Sequence, residues 1–174
     1  EAIVALKYQR DWPLAAPLGR LLADRLRASI PALSGPEANR WRVVPVPMPT
    51  WRRRYRGIDH ARELARAVAG DLGLRSVQPL RKAGGRPQVA LARGARLRAG
   101  ASPYRLRRSD RCRFGGFRSD LRGRSVILVD DVLTTGGTIE SVASVVSRAG
   151  AISVIAGVLA VTDFENLSPG LPPA

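Results

Sequence analysis

Apolar residues in the first part of the chain recur at helical spacing. Leu14, Leu18, Leu21, Leu22, Leu26 and Ile30 fall on one face and predict an amphipathic helix over 14–30. Ser34-Gly35-Pro36 marks a loop. Trp41 to Val46 is a short apolar run that stops at Pro45-Val46-Pro47, as a strand would. Helical spacing returns at Ile58, Ala61, Leu64, Ala65, Val68 and Leu72, with Gly73 as the stop. Val77 to Leu80 predicts a further strand. Over 81–124 the period is lost, and glycine and arginine dominate. Such a long stretch in a compact domain reads as a loop, with at most one short hairpin. Val126 to Val129 then reads as a fully buried strand. Ile139, Val142, Ala143, Val145, Val146 and Ala149 make a helix face closed by Gly150. Ile152 to Val161 is apolar again. Strand, helix, strand with both strands apolar predicts a βαβ unit in a parallel sheet. The polar, proline-rich residues after Thr162 predict a tail over 163–174, leaving 1–162 as one domain.

Composition narrows the class. The chain is 45% hydrophobic, enough for a real core at 174 residues. No apolar run approaches the ~18 residues of a membrane span, so no membrane partner is expected. The opening residues carry no basic, then apolar, leader pattern, although a start at Glu1 leaves upstream sequence open. One cysteine, Cys112, makes neither an internal disulfide nor a zinc ribbon, and a reducing, cytoplasmic setting is expected. The net charge is +15, and residues 81–124 carry +12 of it, with fourteen Arg or Lys against Asp110 and Asp120. A second cluster stands at Arg52-Arg53-Arg54 and Arg56. Such segments suit phosphates on nucleic acid or on a small metabolite. Arginine-rich coding bias is the competing explanation, since the chain has 27 arginines and two lysines.

The chemistry concentrates in SVILVDDVLTTGGTIE, residues 125–140. Asp130 and Asp131 follow a buried strand at the end where open α/β sheets bind ligands. Thr134-Thr135-Gly136-Gly137-Thr138 offers hydroxyls, backbone N–H groups and a helix start suited to an anion. Two acids repel a bare phosphate, so they are expected to face sugar hydroxyls or a Mg²⁺. A ribose phosphate satisfies both halves of the stretch. No Gly-Lys-Ser/Thr and no G-x-G-x-x-G after a strand is present, which excludes the other common phosphate loops. The competing reading is a strand capped by acids and a helix capped by threonines.

The run VILVDDVLTTGGT, Val126 to Thr138, resembles the ribose-phosphate signature of the type I phosphoribosyltransferases at all thirteen positions. Upstream, VVPVPMP and RRRYRGIDHARELA resemble the ComF-type, competence-related members, as do LKY at 6–8 and Gln88 followed by Arg96. The resemblance spans Leu6 to Val161. Asp59-His60 replaces that group's usual Asn-Gln, Ala99 stands near a frequent Asn, and the group's N-terminal zinc ribbon either precedes Glu1 or is lacking in this member.

This resemblance implies an α/β fold with a central parallel sheet flanked by helices and a small N-terminal hood. It implies a ribose-phosphate site at Asp130, Asp131, Val132, Thr134, Thr135, Gly136, Gly137 and Thr138, with Asp130 and Asp131 catalytic. It also implies a pyrophosphate loop over Met48 to Arg56, with Met48, Pro49, Thr50 and Arg56. The 81–100 stretch corresponds to a closing flap, where Lys82, Arg86, Arg93 and Arg96 would neutralise pyrophosphate. Mg²⁺ is the implied cofactor, held by Asp130 and Asp131 through water or substrate. Two functions stay open. One is a Mg²⁺-dependent phosphoribosyltransferase taking phosphoribosyl pyrophosphate or ribose 5-phosphate, and passing the phosphoribosyl group to a nitrogenous acceptor. The other is a non-enzymatic ComF-type protein binding single-stranded nucleic acid through its basic loop, in competence or DNA processing. A homo-oligomer is compatible with either. His60 is expected on the helix surface or at its cap, with a general acid/base role as the alternative, Cys112 as an inert thiol, and Trp12 and Trp41 as packing residues. Trp51 alone sits in a basic loop, where stacking on a nucleobase is conceivable.

Overall fold

The computed structural model describes residues 14–48, 58–82, 102–107 and 120–161. Four parallel strands form the main sheet: β1 (Trp41–Pro45), β2 (Arg75–Ser76), β5 (Ser125–Leu133) and β6 (Ser153–Val161), in the order β2-β1-β5-β6. A separate antiparallel pair, β3 (Leu80–Lys82) and β4 (Tyr104–Leu106), lies in register from Leu80↔Leu106 to Lys82↔Tyr104. Among the described residues, three helices cover the sheet: α1 (Ala15–Ser29), α2 (His60–Leu72) and α3 (Gly137–Arg148).

The sheet is buried on both faces, which is why β1 and the first half of β5 read as unbroken apolar runs. Alternation sorts their side chains. Trp41, Val43, Ile127 and Val129 pack under α1 and α2 with Leu22, Leu26, Leu64 and Val68. Val44, Val46, Val126 and Leu128 face the other way, against Val142 and Val146 of α3 and Leu80 and Tyr104 of the hairpin. Ile127 is fully buried, and truncation of such a side chain to Ala costs about 2–5 kcal/mol.

Local chemistry sets the helix ends. Asp59 caps α2, its side chain accepting from the Arg62 N–H at 3.3 Å. Gly73 ends the helix at φ +66, and Leu74 N–H closes back on the Ala69 carbonyl at 2.8 Å, a Schellman closure. Helices α1 and α2 touch through Gly19, where an added Cβ would overlap the Ala67 methyl. Glycine here is a packing requirement.

Several boundaries differ from the sequence reading. The strand expected over Val77 to Leu80 divides. Val77 N–H still bonds the Val43 carbonyl at 2.9 Å, but Gln78-Pro79 carries the chain out of the main sheet into β3. The strand expected to end at Val129 continues to Leu133. Residues 1–13, on which part of the expected hood falls, lie outside the described residues, as does the tail over 163–174. Helix α1 lies along one face of the sheet and reaches β6, with a Leu26 methyl 3.4 Å from where a Gly157 Cβ would stand.

Candidate functional site

The order β2-β1-β5-β6 contains one reversal of winding. The chain leaves β1 through α2 to reach β2 on one side, and leaves β5 through α3 to reach β6 on the other. The two helices sit on opposite faces. A crevice therefore opens between the carboxyl ends of β1 and β5, the place where such sheets take ligands. Met48 lies in the segment that follows β1, and Thr134, Thr135 and Gly136 lead from β5 into α3. Of the two candidate stretches, Met48 and residues 130–138 are described, and both stand at this switch point.

Pairing defines the crevice floor. Strand β1 pairs with β5 only as far as Pro45↔Val129, and the last tie is Val46 N–H to the Val129 carbonyl at 2.9 Å. Strand β6 stays paired four residues further, to Leu133↔Val161. Asp130 and Asp131 occupy this overhang. Both are half-buried, and Asp131 N–H donates to Asp130 Oδ1 at 2.9 Å. That bond fixes the first carboxylate against its own backbone. Met48 stands two residues beyond the last β1–β5 tie and is half-buried.

The turn after the strand opens a helix in an unusual way. Gly136 is the N-cap of α3, at φ +72, a conformation L side chains rarely adopt. No side chain caps the helix, although Thr134, Thr135 and Thr138 surround its start. The reading in which threonines merely cap α3 therefore fails. The three threonines are exposed around the positive end of the helix dipole, and the first intrahelical bond is Glu140 N–H to the Gly136 carbonyl at 3.0 Å.

Gly137 is the more informative of the two glycines. Its φ is not in the left-handed region, and a Cβ there would meet nothing nearer than Thr135 Oγ1 at 4.0 Å. Neither torsion nor packing within the described residues asks for glycine. A bare backbone leaves this N–H open to approach from outside.

The hairpin brings Lys82 to the same side. Ser102 Oγ donates to the Ser141 carbonyl in α3 at 3.2 Å and accepts from Tyr104 N–H at 3.2 Å, so β4 is pinned to the early turns of the helix. Lys82 Nζ lies 5.2 Å from the Tyr104 ring centroid, within cation–π range. Sequence reasoning missed Ser102 and Tyr104, because a three-residue strand inside an arginine-rich run has too few apolar positions to show a period.

Other expected residues divide between the two sets. Pro49, Thr50, Arg56, Arg86, Arg93 and Arg96 lie outside the described residues, as do Trp12, Trp51 and Cys112. Trp41 is buried in the core, as expected of a packing residue. His60 is not on the helix surface. It is 3% exposed, turned inward at the first residue of α2 while Asp59 takes the cap.

Among the described residues, no group of three or more His, Cys, Asp or Glu could hold a metal by itself. The donors present are two adjacent carboxylates. That set fits Mg²⁺, which keeps several waters and takes one or two carboxylates together with substrate phosphates. It does not fit a closed structural site.

Residues 89–170 match the phosphoribosyl transferase domain family. The chain is 36% identical over 101 residues to adenine phosphoribosyltransferase of Nocardia farcinica, covering 58% of this chain and 48% of that protein. It is 34% identical over 108 residues to the protein of the same name from Rhodococcus opacus, covering 60% and 56%. The chain thus spans about half the length of the curated relatives it matches. The glutamine phosphoribosylpyrophosphate amidotransferase of B. subtilis superposes with a TM-score of 0.50 at 18% identity, over 83% of this chain and 26% of that one. This likeness establishes the fold: α/β, with a parallel central sheet flanked by helices.

Proposed function

We propose that the chain binds phosphoribosyl pyrophosphate with Mg²⁺ at the β1/β5 switch point and transfers the phosphoribosyl group to a nitrogenous acceptor. The observation that carries this reading is the start of α3. A glycine stands at Gly137 with no internal need for it, beside an uncapped helix end and two carboxylates on the strand before. Phosphate oxygens at the Thr135–Thr138 amides and hydroxyls, and ribose hydroxyls at Asp130 and Asp131, account for both halves of the loop.

In this reading Met48, Pro49 and Thr50 present backbone to the diphosphate, with Arg56, Lys82, Arg86 and Arg96 as its cations. Asp130 and Asp131 would hold Mg²⁺ through water or substrate, and the ion would supply positive charge against the departing pyrophosphate. A ring nitrogen of the acceptor attacks the anomeric carbon as the carbon–oxygen bond to pyrophosphate breaks, and pyrophosphate leaves with the electron pair. The protein's part is positioning and charge neutralisation around an oxocarbenium-like transition state. Adenine, the acceptor in the names of the curated relatives, is the first to test. The ComF-type affiliation rests on the runs around 43–65. Nucleic-acid binding rests on the charge of 81–124, much of it outside the described residues.

The test is calorimetry of phosphoribosyl pyrophosphate with Mg²⁺ against wild type and Asp130→Asn/Asp131→Asn. Losing charge-assisted bonds to the ribose hydroxyls should weaken binding roughly tenfold or more. Equal affinities would overturn the site. Pyrophosphate release on adding adenine then separates an enzyme from a binder.

A further inference from the structure

The opposite end of the sheet has its own concentration of charge. Parallel strands β1, β2 and β5 all begin there, and each brings an arginine. Arg42 is the second residue of β1, and Arg75 is its register neighbour on β2. Val126 is Arg42's partner on β5, and Arg124 stands two positions before it, on the same side by strand alternation.

Arg42 is 6% exposed. Its Nη1 donates to the carbonyls of Asn39 and Trp41, both at 2.8 Å, while its Nε is buried without a partner among the described residues. Arg124 Nη1 reaches the same Asn39 oxygen at 3.3 Å, so two guanidinium groups converge on one carbonyl. None of the three arginines has a carboxylate within ion-pair distance among the described residues. Burial, then Arg124 and Arg75, push the Arg42 pKa below its ordinary value, and Asp120 opposes them only in part.

Tying down the 3-10 turn at Pro36–Arg40 explains Nη1 alone. It leaves a buried donor unmatched and three like charges together, each costly in a folded protein. An oxyanion accepting from Nε and from the two neighbouring guanidinium forks would resolve both. Because Arg42 is recessed, the anion must protrude from its carrier, which favours a terminal phosphate over a diester flanked by sugars.

We propose that Arg42, Arg75 and Arg124 form a binding site for a terminal phosphate, free or as a monoester, at the amino end of the sheet. It is separate from the crevice at the carboxyl ends.

The experiment follows the Arg42 Nε–Hε resonance of the full chain by ¹H–¹⁵N NMR during titration with inorganic phosphate, with chloride at matched ionic strength as control. A saturable shift with phosphate and none with chloride is expected. In Arg75→Ala/Arg124→Ala the affinity should fall by about tenfold or more, as charge-assisted bonds are lost. Neither residue is buried, and Arg75→Gln/Arg124→Gln repeats the test with longer stems if the first pair unfolds. The Gly137 amide reports phosphate at the crevice separately, and its response should survive both double variants. Glycerol phosphate should saturate the Arg42 signal, whereas oligothymidylate lacking terminal phosphate should not. A shift common to phosphate and chloride, saturation unchanged in the double variants, or equal saturation by oligothymidylate would overturn the proposal.

Discussion

Replacing Gly136 and Gly137 one at a time separates what the fold needs from what the ligand needs. At Gly136 the φ of +72 is the obstacle, since an added Cβ has room and its nearest neighbour is Glu140 Oε1 at 3.8 Å. The cost of Gly136→Ala is therefore torsional, about 1–2 kcal/mol. A domain of this size should then melt roughly 2–8 °C lower. At Gly137 neither torsion nor contact resists the methyl, and alanine is the better helix former by up to about 1 kcal/mol. Gly137→Ala should melt at or slightly above the wild type. If the proposed cradle is right, its methyl crowds the N–H groups that would hold the phosphate. Losing one charge-assisted bond should weaken ribose 5-phosphate about ten- to hundredfold. Denaturant titration gives the first quantity and calorimetry with ribose 5-phosphate the second. A Gly137→Ala protein that is stable and binds ribose 5-phosphate like wild type would refute the phosphate cradle, whatever Gly136→Ala does.

Gly19→Ala should destabilise the fold by about 1–3 kcal/mol through overlap with Ala67, and adding Ala67→Gly should recover part of that loss in the same chemical denaturation assay. No recovery would mean that the helices do not meet at this point. Asp59→Ala removes the α2 cap and should cost about 1 kcal/mol, while Asp59→Asn or Asp59→Ser should retain most of it. A loss equal in all three variants would show that the capping oxygen is not what matters at this position.

The elements with long, repeated patterns are legible in the amino-acid sequence alone. Helix α2 has six apolar positions in register and a glycine stop, and the glycine does end it. The βαβ unit over 125–161 has apolar strands because both faces of the sheet are covered, so its strands show no alternation and need none. The aspartates and glycines of 130–137 stand out as a candidate site because their residue types are poor choices for a packed strand end. What stays hidden follows from lengths and neighbours. Strands β2, β3 and β4 have two or three residues each, too few for a period, and Pro79 decides where one sheet is left for another. The extension of β5 beyond Val129 depends on β6, a partner that local sequence cannot reveal. His60 resembles a cap residue because it lies next to one, and Arg42 resembles one more charge in a basic chain. Its burial is a property of the strand on either side of it.

The contact of α1 with β6 has a consequence for how the protein is made. The first described helix and the last strand share one core, with Leu26 against Gly157 and Ile155 and Leu159 packed onto the same cluster. Strand β1 likewise waits for β5, pairing Trp41 with Ser125 nearly half the chain away. On a ribosome, α1, β1 and α2 emerge with an apolar face whose cover, among the described residues, comes first from β5 and is completed only by β6. Contacts so distant in sequence make for slow folding and a long exposure to wrong partners. Chains truncated before β6 should therefore accumulate as aggregates rather than as a smaller stable domain, and synthesis of this protein should lean on chaperones that hold nascent apolar surface.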